Sequence, residues 1–321
     1  MHSMKYCLWL AIASGVAFGA DPTLLQLVPP DAGAIAGLQV DQGKKSPLGQ
    51  YVLAHIREPQ AGLGKLLSES GFDPRRDISE VVLALSEPMI STPAASTPAA
   101  STPAASTPAA PQSRELVLAR GTFDPARAES VVTARGGLVT NFQGVHLLAG
   151  DTNGTQVLAF LDTTTAVLGD IGLVEEAIAR HASGVAAGSW SAQAQTLSAA
   201  NDFWFLTNGP ISALTSAMPD GQFGGAMQSG QMFQSVTEAS GGLKFGVNVV
   251  FTADAVTRSE KDAQALAGLL RFLAGMIQTN KSNNPAASQL SSLLSSLVLS
   301  TTANVTHLSL TVPEAQLESF L

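Results

Sequence analysis

Beyond Cys7 the 321-residue sequence contains no cysteine. Disulfides, thiolate metal sites and thiol nucleophiles are thereby excluded from everything after that position. Charge is scarce too: 13% of residues are Asp, Glu, Lys or Arg, against roughly 25% in ordinary soluble domains. Seventeen Lys and Arg stand against 25 Asp and Glu, a net charge of −8, with no basic cluster longer than Lys44-Lys45 or Arg75-Arg76. Nucleic-acid affinity comes mostly from basic groups set against phosphate, so no nucleic-acid partner is expected. Past residue 20, only Trp190, Trp204 and Tyr51 remain of the Trp and Tyr that stack on sugars, which argues against carbohydrate. Long apolar runs are missing as well. A spanning helix needs about 20 apolar residues, and the best stretch, Leu266 to Ile277, contains Arg271, so no transmembrane segment is expected in the mature chain.

Signatures of catalysis are absent in the same way. His55, His146, His181 and His307 lie more than five residues from one another, which leaves no zinc spacing. Gly43-Lys44-Lys45-Ser46 has the wrong glycine spacing and an extra Lys for a phosphate-binding loop, and reads as a polar turn before a helix. A hydrolase elbow wants Gly-x-Ser-x-Gly, whereas Gly188-Ser189-Trp190-Ser191-Ala192 carries Trp at the nucleophile position. No catalytic, cofactor-binding or metal-ligating residue is assigned. The chain reads as non-enzymatic, with an unrecognised hydrolase as one alternative.

What is present begins with an export leader. Lys5, the uncharged run Cys7 to Phe18 and the small residues before Asp21-Pro22 follow the layout of a signal peptide, expected over residues 1–20. Ala17-Phe18-Gly19 suits cleavage after Gly19; cleavage after Ala20 places bulky Phe18 third from the cut. The mature chain is expected to start at Ala20 or Asp21, outside the cytoplasm, periplasmic or secreted, with net charge −9 once Lys5 is gone. Cys7 lacks the small and aliphatic residues that precede a lipid-modified cysteine, so no lipid anchor is expected.

Hydrophobic residues make up 45%, enough for one large or two small cores. The order of elements reads as an α+β fold of two similar halves, each an antiparallel sheet covered by helices. The first half spans 21–182 with a low-complexity insertion at 87–114; a linker at 183–198 leads to the second half, 199–321. Within the insertion, Ser91 to Ala110 is four copies of Ser-Thr-Pro-Ala-Ala, a solvated expansion of the loop between strands Ile78 to Leu85 and Glu115 to Ala119. Asp124-Pro125 opens a helix that Gly136-Gly137 ends. Leu138 to Leu148 and Gln156 to Asp162 read as strands, and Thr165 to Leu168 as a strand leading to a helix with Leu173, Val174, Ala177 and Ile178 on one face. Further on, Phe203 to Thr207 is a strand, and 210–218 and 226–239 are helices. Leu243, Phe245, Val247, Val249 and Phe251 alternate as a single strand with Phe245, Val247 and Val249 on its dry side. Thr257-x-x-Glu260 is a capping box for a helix striped by Leu266, Leu269, Leu270, Leu273 and Ile277. His146 and His307 fall at similar places in the two halves, where they can meet across a pseudo-twofold axis.

Leu27-Val28-Pro29-Pro30-Asp31-Ala32 running into Ala34 to Val40 and Ser46-Pro47-Leu48-Gly49 resembles the mature start of a class of uncharacterised secreted bacterial proteins. Ala166 to Asp170 leading into the Leu173 to Ile178 helix is similar to a later segment of that class. The resemblance covers about a third of the chain and implies a secreted α+β protein; it brings no activity and no functional residues. Met218, Phe223, Met227, Met232 and Phe233 punctuate a Gly/Gln-rich stretch and form the candidate ligand or contact surface, since methionine adapts to irregular apolar partners. The leading reading is contact with another protein or the cell envelope. The alternative is a carrier of an apolar ligand such as a lipid, held between this segment and the helices around Leu270 and Leu293.

Overall fold

The structure, a computed structural model, describes residues 19–55, 62–86, 114–150, 155–188, 190–209, 235–279 and 291–318. Among the described residues twelve strands form one continuous antiparallel sheet. In chain order the first half supplies α1 (Pro22–Leu27), β1 (Ala32–Gln39), α2 (Val40–Gly43), α3 (Pro47–His55), α4 (Gly62–Glu69), α5 (Pro74–Asp77), β2 (Ile78–Ser86) and β3 (Arg114–Gly121). It continues with α6 (Pro125–Ala134), β4 (Leu138–Phe142), β5 (Val145–Ala149), β6 (Gln156–Phe160), β7 (Thr165–Asp170) and α7 (Ile171–Ser183). The second half supplies α8 (Ser191–Ala200), β8 (Phe203–Thr207), β9 (Val236–Lys244), β10 (Asn248–Thr257), α9 (Glu260–Thr279), β11 (Val298–Thr302), β12 (Val305–Pro313) and α10 (Glu314–Glu318). The spatial order is β11-β12-β10-β9-β8-β1-β2-β3-β7-β6-β5-β4.

Side-chain alternation along these strands sends successive residues to opposite faces, and helices cover both. On one face, Leu24, Leu25 and Leu27 of α1, Leu173 to Ile178 of α7 and Ala194 of α8 pack on Ile35, Val82, Leu116, Leu118, Val167 and Trp204. On the other, Leu66 and Leu67 of α4 and Ala128 and Val132 of α6 pack on Ala119, Leu148, Leu158 and Ala166. Phe205, which alternates with Trp204 and Leu206, meets Leu266 and Leu270 of α9 on that second face. Consecutive burial of Val157, Leu158 and Ala159 and of Thr165, Ala166 and Val167 follows from this sandwiching.

Several elements follow the sequence pattern directly. Asp124 caps α6 with Pro125 at its first turn, β2 and β3 pair from Ile78↔Gly121 to Ser86↔Arg114, and α7 buries Leu173, Val174, Ala177 and Ile178. Elsewhere pairing overrides pattern. The two halves share a single sheet because β1 and β8 pair, Ala34↔Thr207 through Leu38↔Phe203. Leu138 to Leu148 is a hairpin, β4 and β5, turning at Gln143-Gly144 where both φ angles are positive. The apparent strand 243–251 is also a hairpin: β9 ends at Lys244, β10 starts at Asn248, and Val247 at the turn is 88% exposed while Val249 is buried. Alternation survives across a turn when the residues on either side of it face one core, which is why the pattern misled. Part of 226–239 is the start of β9, not helix. The stretch 183–198 holds the last residue of α7 and most of α8. The cap of α9 is Ser259, whose Oγ accepts from Asp262 N–H at 3.2 Å, while Thr257 donates instead to the Ser259 and Asn304 carbonyls.

Candidate functional site

Two stretches of the chain read Phe-Asp-Pro: Phe72-Asp73-Pro74 and Phe123-Asp124-Pro125. Each Asp caps a helix. Asp73 Oδ1 accepts from Arg75 N–H at 3.0 Å at the start of α5, and Asp124 Oδ1 accepts from Arg127 N–H at 3.1 Å at the start of α6. Proline then occupies a position whose N–H has no helical partner anyway. The phenylalanine just before such a cap commonly turns inward against the first turn, and here both do, their ring centroids 6.0 Å apart. Phe123 continues onto Phe160 of β6 at 5.5 Å.

These three rings wall a cavity of about 330 Å³ between helices α4 and α6 and strands β3, β6 and β7. That volume lies at the small end of the roughly 300–1,000 Å³ of small-molecule sites. The space exists because its lining mixes large and small side chains: Leu67, Leu158 and Leu168 stand among Ala119, Ala128 and Ala166. Polar groups also line the cavity, and several are engaged in holding its walls. The Arg76 guanidinium grips Asp77, Nε to Oδ1 at 2.6 Å and a terminal nitrogen to Oδ2 at 2.8 Å. That hydrogen bond holds the Asp77 carboxyl below its usual range. Asp77 Oδ2 also accepts from Asp73 N–H at 2.9 Å, and Ser70 Oγ donates to the Leu67 carbonyl at 2.6 Å. Gly71, at φ 80°, leaves room for the Arg127 guanidinium, which a side chain there would meet at 3.1 Å. No histidine lines this cavity, and among the described residues no cluster of His, Asp or Glu is arranged to hold a metal. The arrangement offers a largely apolar surface beside the charged side chains of Arg76, Asp77, Asp124 and Arg127.

The residues singled out from sequence fall elsewhere. Met218, Phe223, Met227, Met232 and Phe233 lie outside the described residues. His146 on β5 and His307 on β12 stand second from opposite edges of the sheet; they do not meet. Each pairs with its own carboxylate, Glu129 at 2.8 Å and Asp254 at 2.7 Å. The His146–Glu129 pair borders a second recess of about 210 Å³. Lys44 bonds Asp41 Oδ1 at 3.0 Å and the Ile78 carbonyl at 2.9 Å, and Ser46 Oγ donates to Gly43 O at 3.2 Å: a polar turn, as read. The cavity went unseen because its walls come from four separate stretches. The one local trace was the repeated Phe-Asp-Pro, of which only the second cap was recognised as a helix start.

One large antiparallel sheet carrying helices on both faces defines a mixed α/β protein. Its structure is similar to that of TP0453. Against crystal form IV the TM-score is 0.50 at 10% identity, covering 94% of this chain and 96% of that one. Against crystal form I it is 0.48 at 10% identity, covering 93% and 95%. At that identity the likeness concerns the fold. No family model matches the chain and no curated protein matches its sequence, so no characterised family stands behind the resemblance seen in sequence. Among the described residues no helix is long and apolar enough to cross a membrane.

Proposed function

We propose that this protein is an extracytoplasmic carrier of a small apolar molecule held in the cavity between α4, α6 and the sheet. The observation that carries the reading is a largely apolar cavity of about 330 Å³ walled by Phe72, Phe123 and Phe160, in which Arg76 and Asp77 of the lining pair with each other and Asp124 caps α6. A hydrophobic guest seated against these rings removes apolar surface from water on both sides of the contact. Binding of the neutral fluorophore N-phenyl-1-naphthylamine tests it. Ala128→Leu puts a larger side chain into the chamber from α6; it is expected to weaken the probe at least about tenfold while the melting temperature holds, since filling a void removes its cost. Undiminished binding in that variant overturns the reading.

Contact with an envelope protein remains supported by a different feature. Phe272 and Met276, one turn apart on α9, are 66% and 45% exposed, and Val298 on edge strand β11 is 62% exposed. Co-purification that fails on Phe272→Ser is the corresponding test.

We further infer that the halves are a duplicated α+β unit. Outward from the seam the second half runs β8-β9-β10-β12-β11, and the first runs β1-β2-β3-β5-β4 once the β7-β6 pair is set aside. The outer hairpin of each half has a two-residue loop that begins with a non-glycine at positive φ, Gln143 at 52° and Ala303 at 51°.

A further inference from the structure

Glu80 on β2 has Gln39 of β1 and Arg120 of β3 directly beside it in register, and Thr165 of β7 beyond Arg120. This polar row crosses the sheet face that also carries Val82 and Leu118 of the main core. Glu80 is 6% exposed. Its neighbours are engaged elsewhere: Arg120 Nε pairs with Asp21 Oδ2 at 3.0 Å, and a terminal nitrogen of Arg120 donates to Thr165 Oγ1 at 2.7 Å. The buried Gln39 Nε2 lies beside the carboxylate outside hydrogen-bond geometry. One donor is left. The backbone N–H of Asp21 stands 3.3 Å from Oε1 and 3.2 Å from Oε2.

A single N–H cannot serve two carboxylate oxygens well, and a buried carboxylate without a cation in contact is costly. Burial accordingly pushes the Glu80 pKa up to about 7, against the smaller lowering effects of the Asp21 N–H, Gln39 and Arg120. An ammonium at the same nitrogen has a proton for each oxygen and the missing charge.

We propose that removal of the export leader cuts the chain between Ala20 and Asp21, and that the new α-ammonium of Asp21 docks on Glu80 as its buried counter-ion. In the cut, water adds to the Ala20–Asp21 amide, the Ala20 carbonyl leaves as a carboxylate, and the released amine takes the second proton. The inference rests on the leader expected from sequence and is independent of the cavity. It also differs from the cut that small-residue spacing favours. Cleavage after Gly19 would leave the ammonium on Ala20 N, which sits 2.5 Å from the neutral Ser198 Oγ, and Glu80 would keep its one N–H. The charged groups facing Glu80 among the described residues are Asp21 and Arg120, and the Arg120 guanidinium is held by Asp21 and Thr165 instead.

Intact mass of the exported protein reads the cut: a chain starting at Asp21 is expected, and a start at Ala20 or an uncut leader overturns the proposal. A two-by-two comparison then reads the ion pair. Chains starting at Asp21 or at Gly19 are melted at pH 7.5 with Glu80 or with Glu80→Gln. The two extra residues restore the buried Ala20 and its N–H to Ser198 Oγ, so they should raise the melting temperature of the Glu80→Gln protein and raise it less, or lower it, in the Glu80 protein; an equal effect in both overturns it. If Glu80→Gln does not fold, acylation of the α-amine gives the answer. In the native chain from Asp21 it should run roughly tenfold slower than in the unfolded chain, as burial against a carboxylate requires, and equal rates overturn the pairing.

Discussion

Trp204 lies flat across Gly37 of the neighbouring strand, so closely that a Cβ at residue 37 would enter the indole ring. The ring is fully buried, and the glycine is there to make room for it. Gly37→Ala is expected to cost about 1–3 kcal/mol, the range for overfilling a packed core, measured by urea denaturation; a smaller loss would mean that the indole has somewhere else to go. Glu80 sets a different residue-scale expectation. In a chain where Asp21 is still peptide-linked, the carboxyl titrates near 7 when folded and near the ordinary 4.3 when unfolded. Between those values the folded state holds the extra proton, so stability falls as pH rises and the whole penalty is present above 7. Glu80→Gln should flatten that slope and recover on the order of 3 kcal/mol at pH 8. A slope that survives the substitution would place its origin elsewhere.

At the scale of elements, the β9–β10 hairpin separates two valines that a single-strand reading puts on one face. Val247 stands at the turn, and its carbonyl accepts from Glu314 N–H at 3.0 Å; its side chain is in water. Val249 is 4% exposed. Val247→Asp should therefore cost under about 0.5 kcal/mol, as exposed substitutions do, whereas Val249→Asp buries an unpaired charge and should prevent folding. Circular dichroism melts of the two variants decide it, and comparable losses would restore one continuous strand. The Phe-Asp-Pro caps show how a local rule becomes a site. Each cap fixes a helix start, each fixed start turns a phenylalanine inward, and two inward rings from sequence-distant loops wall one side of a chamber that neither loop makes alone.

At the scale of the molecule, the seam between β1 and β8 binds the halves. Ile35, Trp204 and Leu206 are buried along it, and Gln39 N–H donates to the Asp202 carbonyl at 2.7 Å. A second tie joins α3 to α10: Leu48 N–H donates to Glu314 Oε1 at 2.5 Å. A break at the seam would bare a hydrophobic edge strand on each side, which favours aggregation over independent folding. Calorimetry is expected to show one transition with equal calorimetric and van't Hoff enthalpies; two resolved transitions would make the halves separate folding units. For the same reason residues 199–321 expressed alone should be insoluble.

Local chemistry was decisive for what short stretches determine by themselves. The Asp124-Pro125 cap, the apolar stripe of α7 and the strands on either side of the repeat were legible in the sequence, because each rests on neighbours within a few residues. The tertiary structure alone decided which strands pair. Strand pairing between β1 and β8 joins residues about 170 positions apart, with no pattern in either strand to announce it; two half-buried strands of similar composition fit many partners equally well until the helices choose a face. The cavity and the buried Glu80 belong to the same category. A lining of ordinary Phe, Leu and Ala, or a single glutamate in a strand, becomes a chamber or an unpaired charge only when distant segments close around it and exclude water.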